Sequence, residues 1–167
     1  MDYQKQINNW FSNWEHRFEV GVPNIVAETA SEFFKERFRT QEWDKKPWQP
    51  LSPKYAAQKT RGKGRILTRT GALMASIRPS EVRADRIVIS AGNSKVPYAR
   101  IHNEGLQVKG VATIKGYTNR NFMGKGKKVK IKPHTRNYTI NMPQRQFMGH
   151  SRYLNKLLRD RLIKAFN

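Results

Sequence analysis

The chain has 167 residues, enough for one domain, with 37% hydrophobic residues, no cysteine and a formal net charge of +21. Disulfides and thiolate metal sites are excluded, and no apolar run approaches the roughly 18–20 residues of a membrane span. Self-repulsion at this charge calls for an anionic neighbour (nucleic acid, an anionic membrane or acidic protein surfaces) or for a heavily solvated lysine-rich exterior.

The first residues, Met1-Asp2-Tyr3-Gln4, lack the basic and apolar stretches of a secretory signal. Ile7, Trp10, Phe11, Trp14 and Phe18 then recur at the spacing of one helix face. This aromatic face either packs on the protein's own core or docks into a neighbouring subunit. Gly21 and Pro23 are expected to end this helix and begin another. Val22, Ile25, Val26, Thr29, Ala30, Phe33, Phe34 and Phe38 keep the 3.6 period, with Glu28, Glu32 and Glu36 opposite, and predict a helix from Pro23 to Thr40.

Pro47, Pro50 and Pro53 exclude regular structure between Lys45 and Pro53. Ser52-Pro53 opens a short helix through Lys59, and Arg61 to Arg65 reads as a basic loop. Thr70 is the expected N-cap of a short helix carrying Leu73, Met74 and Ile77. Val82 and Ile87-Val88-Ile89 flank a turn at Asp85-Arg86, the pattern of a hairpin. Pro97 to Glu104 predicts another short helix, closed by Gly105.

Gln107 to Lys132 holds four glycines, many lysines and little apolar material, and reads as a long loop or extended arm with weak strands. Within it Lys127 to Lys132 alternates, and is expected to form a ribbon with Tyr138-Thr139-Ile140. Leu154, Leu157, Leu158, Leu162 and Phe166 mark a final helix from His150 to Phe166, capped by Ser151.

Eight of the twelve acidic residues lie in the first 44 positions, while Lys45 to Ser80 and Gly105 to Arg159 contain none. That asymmetry suits head-to-tail contact between identical subunits as well as it suits nucleic acid. No catalytic or metal-ligating pattern is present. His16, His102, His134 and His150 have no partner at metal spacing. His102-Asn103-Glu104 lacks the further carboxylate or histidine ligands that a metal-dependent nuclease requires. Gly62-Lys63-Gly64 and Gly124-Lys125-Gly126 match no phosphate-loop spacing. No enzyme, cofactor or metal is expected.

Several fragments in order carry a resemblance. They are Arg37-Phe38 with Gln41, Trp48-Gln49-Pro50-Leu51-Ser52, Ile66-Leu67, Thr70-Gly71 with Leu73 and Ser76-Ile77, Pro97-Tyr98-Ala99 with Ile101, His102 and Gly105, and Met142-Pro143 with Arg145 and Phe147-Met148-Gly149. From about Phe34 onward the chain resembles the phage virion morphogenesis family, the Mu-like tail completion or neck proteins. Two departures stand out: Asp44-Lys45-Lys46-Pro47 replaces an acidic-Gly turn, and the stretch between Gly105 and Met142 is long and basic.

The resemblance implies an α+β fold with long N- and C-terminal helices packed on a small antiparallel sheet, working in rings at or near the head–tail junction. Residues 1–20 would form an amphipathic N-terminal helix and 21–167 a single domain, with a basic arm at about 107–136. The implied role is tail completion or head–tail joining, the alternative being a basic nucleic-acid-binding protein without sequence specificity. Its partners would be connector, tail terminator or tail tube proteins and further copies of itself, in a virion component made in the host bacterial cytoplasm. The candidate surface is the arm, with Lys109, Lys115, Arg120, Lys125, Lys127, Lys128, Lys130 and Lys132 facing DNA or a protein partner.

Overall fold

The computed structural model describes residues 3–58, 65–122, 124 and 126–167. The fold is α+β. Helix α1 (Tyr3–His16) runs through a π-helical turn at Arg17–Gly21 directly into α2 (Val22–Thr40). The expected break at Gly21 and Pro23 does not occur, because the widened turn absorbs the proline. Val22 N–H donates to the Arg17 carbonyl five residues back. That spacing takes up both the missing proline N–H and the clash of its ring with the carbonyl four residues earlier.

Helix α2 is the spine. Its C-terminal half turns Phe33, Phe34 and Phe38 into a core shared with Trp48, Ile66, Leu73, Ile77, Val96, Ala99, Phe147 and Leu154. Gln41 ends the helix in the left-handed conformation. Its side-chain amide donates to the Phe38 carbonyl at 2.6 Å and accepts from the backbone N–H of Ile66, which pins the distant segment at residue 66 onto the helix end. Strands β1 (Glu42–Trp43) and β2 (Lys46–Pro47) pair across Asp44-Lys45. Both turn residues have positive φ, 46° and 65°, the geometry of a two-residue hairpin that glycine would otherwise supply. A minimal strand pair therefore interrupts the irregular segment expected from Lys45 to Pro53.

Helix α3 (Pro53–Gln58) and helix α4 (Ala72–Ala75) follow. Lys59 and residues 61–64 of the expected basic loop lie outside the described residues. Gly71, with φ 71°, holds the N-cap position of α4, and Thr70 accepts from Ala72 N–H at 3.4 Å from one residue further out. Strands β3 (Arg78–Val82) and β4 (Ile87–Ser90) form the expected hairpin and lie against α2. Helix α5 (Ala99–Glu104) is closed by Gly105 in the left-handed conformation. The last helix, α6 (Arg152–Phe166), packs on α2, and Ser151 Oγ accepts from the N–H groups of Tyr153 and Leu154 as its cap. Arg161 ties the two helices, donating to Thr29 Oγ1 at 3.1 Å and pairing with Glu32 at 2.7 Å.

Of the two readings of the stretch between α5 and the final segment, loop or extended arm with strands, the second is the one observed. Strand β5 (Gln107–Ile114) pairs antiparallel with β8 (His134–Asn141), and β6 (Tyr117–Phe122) with β7 (Lys127–Ile131). Lys127–Ile131 therefore pairs with Tyr117–Phe122, and Tyr138–Ile140 pairs with Val108–Gly110 instead. The register is common to both pairs: Ile114 opposes His134 and Tyr117 opposes Ile131. The four strands thus form one long hairpin, its contour up to roughly 50 Å at about 3.3 Å per residue. Its strands pair with each other and make no substantial contact with the helices.

Candidate functional site

Three of the fragments that carry the resemblance converge on one place. Gly105 lets the chain leave α5 with a positive φ, and a Cβ there would stand 2.8 Å from the Cβ of Gln144. The segment 142–149 therefore lies directly against the end of α5. Arg145 N–H donates to the His102 carbonyl at 2.8 Å. Asn103 Oδ1 accepts from both Phe147 N–H and Met148 N–H at 2.9 Å. Trp48 Nε1–H donates to the Gln146 carbonyl at 2.7 Å. With its backbone fixed, Phe147 buries its ring against Phe38, centroids 5.1 Å apart.

Beside this junction opens a cleft of about 820 Å³, walled by Leu51, Tyr55, Leu67, Tyr98, Ile140 and Met142. Its polar lining includes Arg69, His102 and Arg145 and no carboxylate. Arg145 is 6% exposed. Its Nε–H and Nη2–H donate to the carbonyls of Gln49 and Pro50 at 3.1 and 3.4 Å. Among the described residues no carboxylate pairs with it. Burial lowers its pKa from the ordinary arginine value. Burial, and secondarily the Arg145 charge, likewise lowers that of His102, whose Nδ1 is buried without a hydrogen-bond partner.

His102, Asn103 and Glu104 do not converge as a catalytic group would. The His102 ring lies edge-on to Tyr98, Asn103 clamps the 147–148 backbone, and Glu104 pairs with Arg100 at 3.0 Å. Among the described residues no cluster of three His, Asp or Glu side chains could hold a metal ion. Tyr55 was not singled out from sequence, and Asn103 and Ile140 were named only within the His102-Asn103-Glu104 triplet and as part of an expected ribbon strand.

The candidate basic residues are distributed along the ribbon. Lys109 is exposed on β5, opposite Thr139. Lys115 and Lys132 sit at the joint between the two strand pairs, both exposed. Farther out, Thr118 opposes Lys130, and alternation puts Lys128 on the same face. Arg120 follows Thr118 on β6, in the stretch where the register shifts. The opposite face of this outer ribbon carries Tyr117, Val129 and Ile131. Lys127 begins β7, and Lys125 lies outside the described residues. The structure thus brings Lys128 and Lys130 together and leaves Lys109 on the inner strand pair.

A second unusual surface is α1, which has no buried residue. Trp10, Phe11 and Phe18 are 57%, 61% and 56% exposed. Trp14 and Phe18 stack on Phe166 of α6, at centroid distances of 5.8 and 5.3 Å. The aromatic face is therefore secured at one end and open elsewhere, and it is not part of the domain core. No helix among the described residues is long and apolar enough to cross a membrane.

A family model described as the phage virion morphogenesis family matches residues 5–167. No curated protein and no solved structure matches the chain.

Proposed function

Because the chain belongs to the phage virion morphogenesis family over nearly its whole length, and so has a structural or assembly role in a phage, we propose that it is a non-catalytic subunit of the tail completion or head–tail joining apparatus, acting as a ring of identical copies. The observation that carries this reading is the exposure of α1. Four aromatic side chains of about 150–250 Å² each, three of them more than half exposed, leave an apolar patch of several hundred Å², the size at which the largest patch on a monomer often serves as a contact surface. A ring subunit with heterologous contacts requires such a surface.

In this reading the DNA-facing element is the cationic face of the outer ribbon, which binds phosphates by counterion release and without sequence preference. Two arms of one experiment test it. Phage lacking this chain should yield heads and tails that fail to join, seen by electron microscopy; joined, infectious particles would refute the role. Phage carrying Lys125→Gln, Lys127→Gln, Lys128→Gln and Lys130→Gln together should assemble normally and lose DNA retention or ejection. Unaltered DNA handling would remove the DNA contact and leave the joining role. Tight, salt-sensitive duplex binding by the purified monomer would instead favour the nucleic-acid-binding alternative.

A further inference from the structure

We propose that copies of this chain join head to tail by inserting the aromatic face of α1 from one copy into the cleft beside Arg145 of the next. The inference deepens the ring reading above and rests on it. The helix is an unfilled knob: Trp10 and Phe11 are exposed on adjacent positions, Trp10 packs only on its helix neighbours Phe11 and Trp14, and among the described residues the ring contacts of the face with another element are those of Trp14 and Phe18 with Phe166. Among the described residues the cleft is an unfilled hole of about 820 Å³, within the 300–1,000 Å³ of sites that take apolar ligands with a few polar anchors. An amphipathic helix laid in an apolar groove is a recurring mode of recognition.

Area and charge both point to a second copy as the occupant. The exposed aromatic surface of α1 amounts to several hundred Å², a large share of the ~800 Å² that each partner contributes to a stable interface. The cleft draws its walls almost wholly from the two acid-free tracts, and it presents Arg69 and Arg145 with no carboxylate among its lining. The helical segment 3–21 is neutral overall, Glu15 and Glu19 offsetting Lys5 and Arg17, so it brings two exposed carboxylates and no net positive charge to a cationic cleft. The two surfaces differ, so the contact is heterologous, and repetition closes a ring if the rotation permits.

The test uses two full-length variants that alter exposed residues only. Trp10→Ala with Phe11→Ala breaks the knob, and Tyr55→Ala with Ile140→Asp breaks the hole. Circular dichroism confirms folding, and sedimentation velocity reads self-association. The wild type should form concentration-dependent oligomers, and each double variant should associate at least about thirtyfold more weakly. An equimolar mixture of the two variants has one intact contact per pair, so it should form one-to-one dimers and nothing larger. Three outcomes overturn the proposal: oligomers unchanged in either variant, self-association by the hole variant alone (pairing of α1 with α1), or a wild type that stays monomeric at about 100 μM. If heads and tails still fail to join without this chain, the joining role survives any of these, and the two failures are told apart.

Discussion

The surroundings of His102 favour the neutral form of its imidazole. Burial is the larger cause and the Arg145 charge the smaller, and together they lower its pKa from the ordinary 6.5. The unfolded chain restores the ordinary value, so between the two values the unfolded state binds more protons, and stability rises with pH. The contribution is complete above about pH 6.5 and is lost as pH falls through the folded value. The melting temperature of the wild type should therefore fall more steeply from about pH 7 to about pH 5 than that of His102→Gln, and parallel curves would refute this. Tyr98 and His102 stand one helical turn apart, a spacing that puts two side chains on one face. The role of Asn103 was not legible in the sequence, because its partners lie 44 and 45 residues away and local sequence does not encode that separation.

Helices α2 and α6 follow the 3.6 period closely, because each buries a single stripe and the cost of misplacing it is high. The ribbon was read as a long loop or an extended arm with weak strands because its strands are short of apolar residues, and one face pairs lysines with threonine where a core strand would alternate. Its order comes from cross-strand pairing, which spacing alone left ambiguous in register. Gly110 shows how that pairing works: it opposes Tyr138, whose ring occupies the space that a side chain at position 110 would need. Gly110→Val should displace that ring and reduce amide-exchange protection along β5 and β8. The ribbon scarcely touches the helices, so the core should lose no more than about 0.5 kcal/mol. A matching loss of protection in α2 would show that ribbon and core unfold as one unit.

At the scale of the whole molecule, the charge read from composition proves to be unevenly balanced in space. The ion pairs are mostly exposed, such as Arg100–Glu104 and Lys156–Asp160, and exposed pairs contribute about 0–1 kcal/mol each. They do not offset the repulsion of a +21 chain. Raising ionic strength from about 0.02 M to about 0.5 M shortens the screening length several-fold and should raise the melting temperature. A fall would mean that the ion pairs outweigh the repulsion. The fragments bearing the resemblance, legible in the sequence, are those knit together around Trp48, His102 and Phe147. The sequence could not announce the cleft, which is a product of how α3, α5 and the base of the ribbon are spaced.

The π turn at Arg17–Gly21 sets an angular phase. An α-helix advances about 100° per residue, so one residue more or fewer at this seam would rotate the aromatic stripe by nearly a third of a turn about the spine. Trp14 and Phe18 would then swing away from Phe166. Every copy in a closed assembly must present its helix at the same azimuth for the last subunit to meet the first. In the proposed ring, the widened turn that admits the proline would fix the angle from which each copy meets its neighbour.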